Sequence, residues 1–487
     1  MSDQDFKATP RSAKFHYGNV AAPETQHVDA GLVRGITDRL SPETAERPIP
    51  VALLVCHGMG EQVRFETIGQ IAASVLKAAA SHGCNVSENG VELSFQNESF
   101  LARAELNWTT PAGKPHSVHV YEAYWAPVTE GKVTYWETVS FLFSAAWKGW
   151  RSSKLFRACG FQRYLFGMVR DFTIYARTNV GLLLIALFLF AQVVAIAVVL
   201  AKITDQVKQM ETAHFAIKQV LIVLLPGIHG VRSVSIASAE KVRMILRIVG
   251  WYLLVAEIFV ARYFLIEYAG DVAAYISPYK ASKFEDIRDK IQAIGLDVAK
   301  VIYGFGNTTI VPDYQRVVIA GHSLGSVLAY DTLNAVINLD LTSATPTSKQ
   351  VVKRTKKLIT FGSPLDKTAF LFRNQSNHVK DPLREQMASA FQPLILDYDV
   401  FRKPNFWTNL WSPLDIVSGS LDYYDAPPLA PGQKPDPTDP LAANYPGPHD
   451  PRRVDNLKDP AGTVPIMAHV QYWAGDLLAQ TLYKAVQ

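Results

Sequence analysis

Short apolar runs alternate with longer amphipathic stretches over two parts of this chain. Val51 to Val55 is continuously apolar and ends at His57-Gly58, which predicts a strand buried on both faces. Phe65 to Ala80 carries a helical period. Ser117 to Trp125, reading Ser-Val-His-Val-Tyr-Glu-Ala-Tyr-Trp, is rich in β-formers and predicts another strand. The pattern resumes near Ser282. Phe284 to Tyr303 sets Ile287, Ile291, Ile294 and Val298 on one helical face. Val317 to Ala320 predicts a strand, Ser326 to Val336 a helix, and Leu358 to Phe361 and Phe406 to Trp411 two further strands. Ala468 to Val486 closes the chain with a helical pattern. Strands alternating with helices predict the α/β class, with a mostly parallel sheet covered on both faces.

Between the two halves, residues 127–270 follow a different rule. Val180 to Ala201 contains no charged residue. As a helix at about 1.5 Å per residue it would reach roughly 33 Å, enough for a hydrocarbon core of about 30 Å. The alternative is a core helix, but soluble core helices of this length keep a polar face. The two half-sheets must meet, so an insertion that crosses the bilayer once must cross it again. Met244 to Ile266 is the better second candidate. Its Arg247 and Arg262 lie near the ends, where they can snorkel. Its central Glu257 costs about 2.5–3.5 kcal/mol, which the surrounding Leu, Ile, Val and Phe residues offset. Gln219 to Gly230 is short, contains Pro226, and suits a re-entrant or interfacial piece. Ahead of the first span stand Lys148, Arg151, Lys154, Arg157, Arg163, Arg170 and Arg177 against Asp171. With Trp136, Trp147 and Trp150, they read as a headgroup zone on the cytoplasmic side. The domain expectation is therefore an irregular segment 1–49, a first core half 50–126, a helical membrane or lid insertion 127–270, and a second core half 271–487. Within the last, residues 426–451 are crowded with Pro, Gly and Asp and predict a long loop.

Composition narrows the function classes. Of 487 residues, 48% are hydrophobic and 19% charged, below the usual charged share of about 25%. A net charge of +4 is small for this length and argues against a nucleic-acid partner. Cys56, Cys84 and Cys159 form no C-x-x-C pair, which argues against a disulfide framework or a zinc site. Met1 to Arg11 is polar and lacks the apolar stretch of a secretory signal.

The chemistry centres on Gly321-His322-Ser323-Leu324-Gly325. This sequence sits between a predicted strand and a predicted helix, so Ser323 caps a tight turn. Such a turn lifts a hydroxyl into a cleft and aims the next N–H at the same point. A serine needs a base, and the base needs an orienting carboxylate. On a strand-turn-helix nucleophile the order is Ser, acid, His. Downstream histidines are His378, His449 and His469. His469 lies just ahead of the last helix and is the preferred base. His449, in the Pro-rich loop, is the second choice, and His378 breaks the order. Asp415, held by a Ser-Pro turn after a strand, is the preferred acid. Asp366 is its rival, and Asp331, inside the elbow helix, reads as structural. The oxyanion donors expected are the N–H groups of Leu324 and Met59, with Gly58 as the alternative to Met59. These groups suffice without a metal or cofactor.

These residues look like an α/β-hydrolase of the lipase group. Asp271-Val272 through Ser277-Pro278, then Gly321 to Ser326, Tyr330-Asp331 and Gly362-Ser363-Pro364-Leu365 resemble the central block of the intracellular phospholipase A1 family. Asp415-Ile416-Val417, with His469 near Tyr472-Trp473, is similar to class 3 lipases. The resemblance implies ester hydrolysis on glycerolipids, with Ser323, Asp415 and His469 at matching positions. The membrane insertion departs from both families' cores. The expectation is an α/β-hydrolase fold with a large helical, membrane-associated insertion, acting on lipid esters at the cytoplasmic face. A soluble ester or thioester substrate and a non-enzymatic membrane scaffold are the alternatives.

Overall fold

In the computed structural model the described residues are 48–59, 63–129 apart from 88, 97 and 98, 282–305, 313–342, 348–368, 405–421 apart from 416, 454–463 and 467–487. With them go 11–15, 159–163, 168–174 and the single residues 187, 190, 194, 275 and 424. The chain divides into two compact units. One comprises Met1–Lys132, Ala158–Tyr175 and Ala274–Gln487, the other Val133–Arg157 and Ala176–Ala273.

The first unit holds a mixed sheet of the α/β class. Its strands in chain order are β1 (Arg11–Phe15), β2 (Val51–Cys56), β3 (Asn85–Val86), β4 (Asn89–Gln96), β5 (Ser99–Thr109), β6 (Pro115–Ala123), β7 (Cys159–Arg163), β8 (Met168–Ile174), β9 (Val317–His322), β10 (Thr355–Phe361), β11 (Trp407–Trp411) and β12 (Asp455–Lys458). The order across the sheet is β1-β4-β5-β6-β2-β9-β10-β11-β12, with β3 beside β5, while β7 and β8 form a separate hairpin. Neighbours from β6 to β12 are parallel. Neighbours from β1 to β6 are antiparallel.

The sheet is thus mixed rather than mostly parallel. The reason is local: Thr110 N–H bonds the Lys114 carbonyl at 2.9 Å, and Gly113 takes φ 77°, so β5 returns directly as β6. A tight link of this kind joins only antiparallel strands; parallel neighbours need a crossover of a dozen residues or more. Arg11–Phe15 is a strand inside the segment expected to be irregular, and the β7–β8 hairpin lies within the insertion expected to be helical.

All six residues of β2 are buried, as its unbroken apolar run implies. On one face, Leu53, Val55, Val120, Val318 and Phe361 pack with Ile71 and Val75 of the helix Glu66–Ser81 and with Leu478, Leu482 and Val486 of the C-terminal helix Asp476–Val486. On the other lie the helices Ser282–Tyr303 and Leu324–Thr342. Leu324–Thr342 is buried around most of its circumference, because it is wedged between sheet and helix. The expected single helix Ala468 to Val486 is broken. A turn of α-helix (Ala468–Gln471) passes into a 3-10 turn (Tyr472–Ala474), and extended Gly475 caps the last helix. Because β2 pairs with β6 on one side and β9 on the other, chain order reverses there. In open α/β sheets the carboxyl ends of the strands at such a switch point are where ligands bind.

In the second unit, Leu187, Phe190 and Val194 are helical and 53%, 62% and 44% exposed. Their spacing sets them on one helical face. The remainder of Val180–Ala201, all of Met244–Ile266 and Gln219–Gly230, the loop 426–451 and Asp271–Ala274 lie outside the described residues. Among the described residues, no helix is long and apolar enough to cross a membrane.

Leu482 is fully buried, whereas the Lys77–Asp476 ion pair joining the same two helices is 70% and 81% exposed. Replacing Leu482 by Ala is expected to cost about 2–5 kcal/mol in denaturant unfolding. Lys77→Ala is expected to cost less than about 1 kcal/mol.

Candidate active site

β9 ends at His322 and the next helix begins at Leu324, so Ser323 alone makes the turn. Its φ is 52°, a left-handed conformation that costs a residue with a side chain roughly 1–2 kcal/mol. Neighbouring bonds hold it there. The Ser323 N–H donates to the Phe361 carbonyl at 3.0 Å, and its own carbonyl accepts from the Ser326 N–H at 2.9 Å and hydroxyl at 2.6 Å. The flanking glycines are required by space. A Cβ on Gly325 would lie 2.1 Å from the His57 carbonyl oxygen, and one on Gly321 would lie 2.5 Å from the Gly325 carbonyl oxygen. Both obstacles are backbone, which no rotamer change relieves.

Ser323, His469 and Asp415, far apart in sequence, meet here. His469 Nε2 is 2.8 Å from Ser323 Oγ, and His469 Nδ1 is 3.0 Å from Asp415 Oδ2. A carboxylate only accepts, so Nδ1 carries the proton and Nε2 accepts from the serine hydroxyl. Asp415 also accepts from the Val417 N–H at 2.8 Å and from the Tyr472 hydroxyl at 3.0 Å. Burial acts to raise the Asp415 carboxyl. The His469 hydrogen bond and charge, with the Val417 and Tyr472 donors, outweigh it and hold the group well below the usual carboxylate range. Tyr472 in turn accepts from the Ser412 N–H at 2.9 Å, and its hydroxyl lies 3.0 Å from Ser418 Oγ. One phenol therefore ties the acid loop to the segment that carries the base.

The rival groups are engaged elsewhere. Asp366 pairs with Lys367 Nζ, 3.2 Å from each carboxylate oxygen. Asp331 accepts from Tyr275 at 2.6 Å and Gln292 at 3.1 Å, a buried structural cluster in which burial raises its pKa. His378 and His449 lie outside the described residues.

Leu324 is buried and opens its helix, so its N–H has no carbonyl partner within that helix. The turn after β2 approaches the same serine: a Cβ on Gly58 would lie 2.9 Å from Ser323 Cβ. His57 holds this turn. Its Nδ1–H donates to the Gly58 carbonyl at 2.8 Å, and its Nε2 accepts the Trp125 N–H at 3.0 Å. The Trp125 indole N–H donates to the His57 carbonyl at 3.1 Å, and the two rings stack 4.9 Å apart. Burial lowers the His57 pKa to about 4, which keeps this clamp neutral.

In comparisons with protein families, curated proteins and solved structures, no family matches the chain and no curated protein or solved structure is significantly similar to it.

Sequence reasoning singled out Ser323, Asp415, His469, Leu324, Gly58 and Met59, but assigned no role to His57, Trp125, His322 or Tyr472. The pairing of β2 with β6 is what brings Trp125 beside His57. Exposed apolar side chains also stand in the segments that carry these groups: Val63 and Phe65 after Met59, Leu414 beside Asp415, and Met467 and Val470 around His469.

Burial lowers the pKa of His57 and His119 to about 4 and of His322 to about 3. An unfolded histidine binds its proton below about pH 6.5. Between those values the unfolded state holds more protons. Their contribution is therefore fully present above about pH 6.5 and is lost as pH falls toward the folded-state values. Denaturant midpoints are expected to drop between pH 7.5 and 5, as the unfolding free energy falls by up to about 1.4 kcal/mol per histidine per pH unit. A flat midpoint over that range contradicts the buried neutral assignment.

Proposed function

We propose that this chain is a serine hydrolase of the α/β-hydrolase type, acting at a membrane and cleaving carboxylic esters of lipids. What carries the reading is the unbroken line from Ser323 Oγ through His469 to Asp415, at 2.8 Å and 3.0 Å, with the serine on a left-handed turn. The strand-turn-helix setting of Ser323, at the carboxyl end of a strand beside the switch point, supports the same reading.

In the reaction, Ser323 Oγ attacks the ester carbonyl while His469 Nε2 takes its proton. Asp415 stays ionised and holds the imidazole in the productive tautomer. The negative charge on the carbonyl oxygen is met by the N–H groups of Leu324 and Met59, with Gly58 the alternative to Met59. Loss of one such donor costs about 10²–10³ in rate. Collapse of the tetrahedral intermediate breaks the ester C–O bond. The departing alcohol takes the proton from His469, and the acyl group stays on Ser323. Water, deprotonated by His469, then attacks the acyl carbonyl, and Ser323 regains its proton as the acid leaves.

The lipid assignment draws on the apolar side chains exposed in the segments that carry the site residues and on the stripe Leu187, Phe190 and Val194. The uncharged run Val180–Ala201 and the basic, Trp-bearing stretch ahead of it favour an integral membrane protein with its catalytic unit on the cytoplasmic face. The likeness to the intracellular phospholipase A1 and class 3 lipase families points to a glycerolipid.

A fluorophosphonate probe is expected to label the full chain, and Ser323→Ala to abolish labelling. On mixed glycerolipid vesicles the wild type is expected to release fatty acid, with kcat falling about 10⁶-fold in Ser323→Ala. A wild type that never labels refutes the hydrolase. Labelling with turnover confined to short soluble esters refutes the lipid assignment.

A further inference from the structure

The base rests on slight local support. His469 belongs to one turn of helix, and Met467 at its N-cap makes no side-chain capping bond. So short a helix has little stability of its own. Asp415 restrains one edge of the imidazole. The residue just before the nucleophile supplies more. The His322 Nε2–H donates to the His469 carbonyl at 3.1 Å, and the two rings stack with centroids 5.1 Å apart at 30°. Phe361 stacks on His322 at 5.0 Å, and Trp473 meets it edge-on at 5.2 Å. His322 also borders the oxyanion turn, since a Cβ on Gly58 would lie 3.0 Å from its Nδ1.

Building on the hydrolase reading above, we propose that His322 is a positioning residue, a neutral imidazole that ties both the main chain and the ring of His469 to β9. Nucleophile and base then share one rigid strand end. The tautomer follows from the partner: a carbonyl only accepts, so Nε2 carries the proton. The titratable groups around it are His469, Asp415, His57 and Tyr472. Burial, followed by His469, lowers His322 to about 3, so it stays uncharged while the base becomes an imidazolium during attack. A charged neighbour stacked at this distance would oppose that step.

Two substitutions separate positioning from packing. His322→Phe keeps a ring and removes the donor, whereas His322→Gln keeps a donor near the Nε2 position and removes the ring. For ester hydrolysis by the full chain, Phe is expected to lower kcat about ten- to a hundredfold with KM unchanged, and Gln to recover most of it. Wild-type kcat in the Phe variant, or a Gln variant no better than Phe, overturns the proposal. A second measurement needs no turnover. The downfield proton NMR signal of His469 Nδ1–H, assigned by its loss in His469→Gln, is expected to broaden or vanish in His322→Phe and to return in His322→Gln. An unchanged signal in the Phe variant overturns the positioning role by itself. If that signal responds as expected but wild-type turnover does not depend on Ser323, the hydrolase reading fails and the positioning role stands.

Discussion

Two backbone segments meet beneath Ser323 with no room for a side chain between them. The turn after β9 lies so close to the exit of β2 that a Cβ at Gly325 would overlap the His57 and Cys56 carbonyl oxygens, at 2.1 and 2.3 Å. The left-handed Ser323 sits at this contact, and the His57-Gly58 turn lies against it, a Cβ on Gly58 falling 2.9 Å from Ser323 Cβ. The serine turn and the Gly58 turn are therefore two sides of one packing constraint at the point where strand order reverses. The buried strands β2 and β9 make that constraint rigid, because they pair with one another along their length.

Around this point the electrostatics divide cleanly. One group is kept charged: Asp415, with donors from His469, Val417 and Tyr472. The two imidazoles beside the serine turn, His57 and His322, are kept neutral by burial and act as hydrogen-bonding braces with fixed tautomers. The Asp415 carboxylate thus faces the His469 imidazole between braces that carry no charge.

Sequence patterns carried the parallel half of the sheet because burial on both faces leaves continuous apolar runs such as Val51 to Val55. The antiparallel extension was equally visible in principle. Val91, Leu93 and Phe95 alternate with Glu92 and Ser94 in β4, a period-two pattern. β12 was not legible: Asp455-Asn456-Leu457-Lys458 has no strand signature, and its extended form comes from pairing with β11 at the sheet edge. The closing helix was over-extended because helical periodicity runs through Gly475, whose extended backbone breaks it. At the site, Ser323 was legible because the glycines around it answer a steric demand that acts within five residues. Asp415 and His469 followed from order along the chain.

The sequence by itself determined the α/β class and the strained serine turn, since short-range sterics and burial impose these on consecutive residues, and chain order narrowed the acid and base to a few candidates. Tertiary structure alone decided which acid and base meet Ser323 and which residues brace them: His57, His322, Trp125 and Tyr472. Their roles depend on partners brought near by strand pairing, such as the His469 carbonyl, 147 positions from His322. A neutral buried histidine and a solvated one are the same letter in a sequence, and only packing tells them apart.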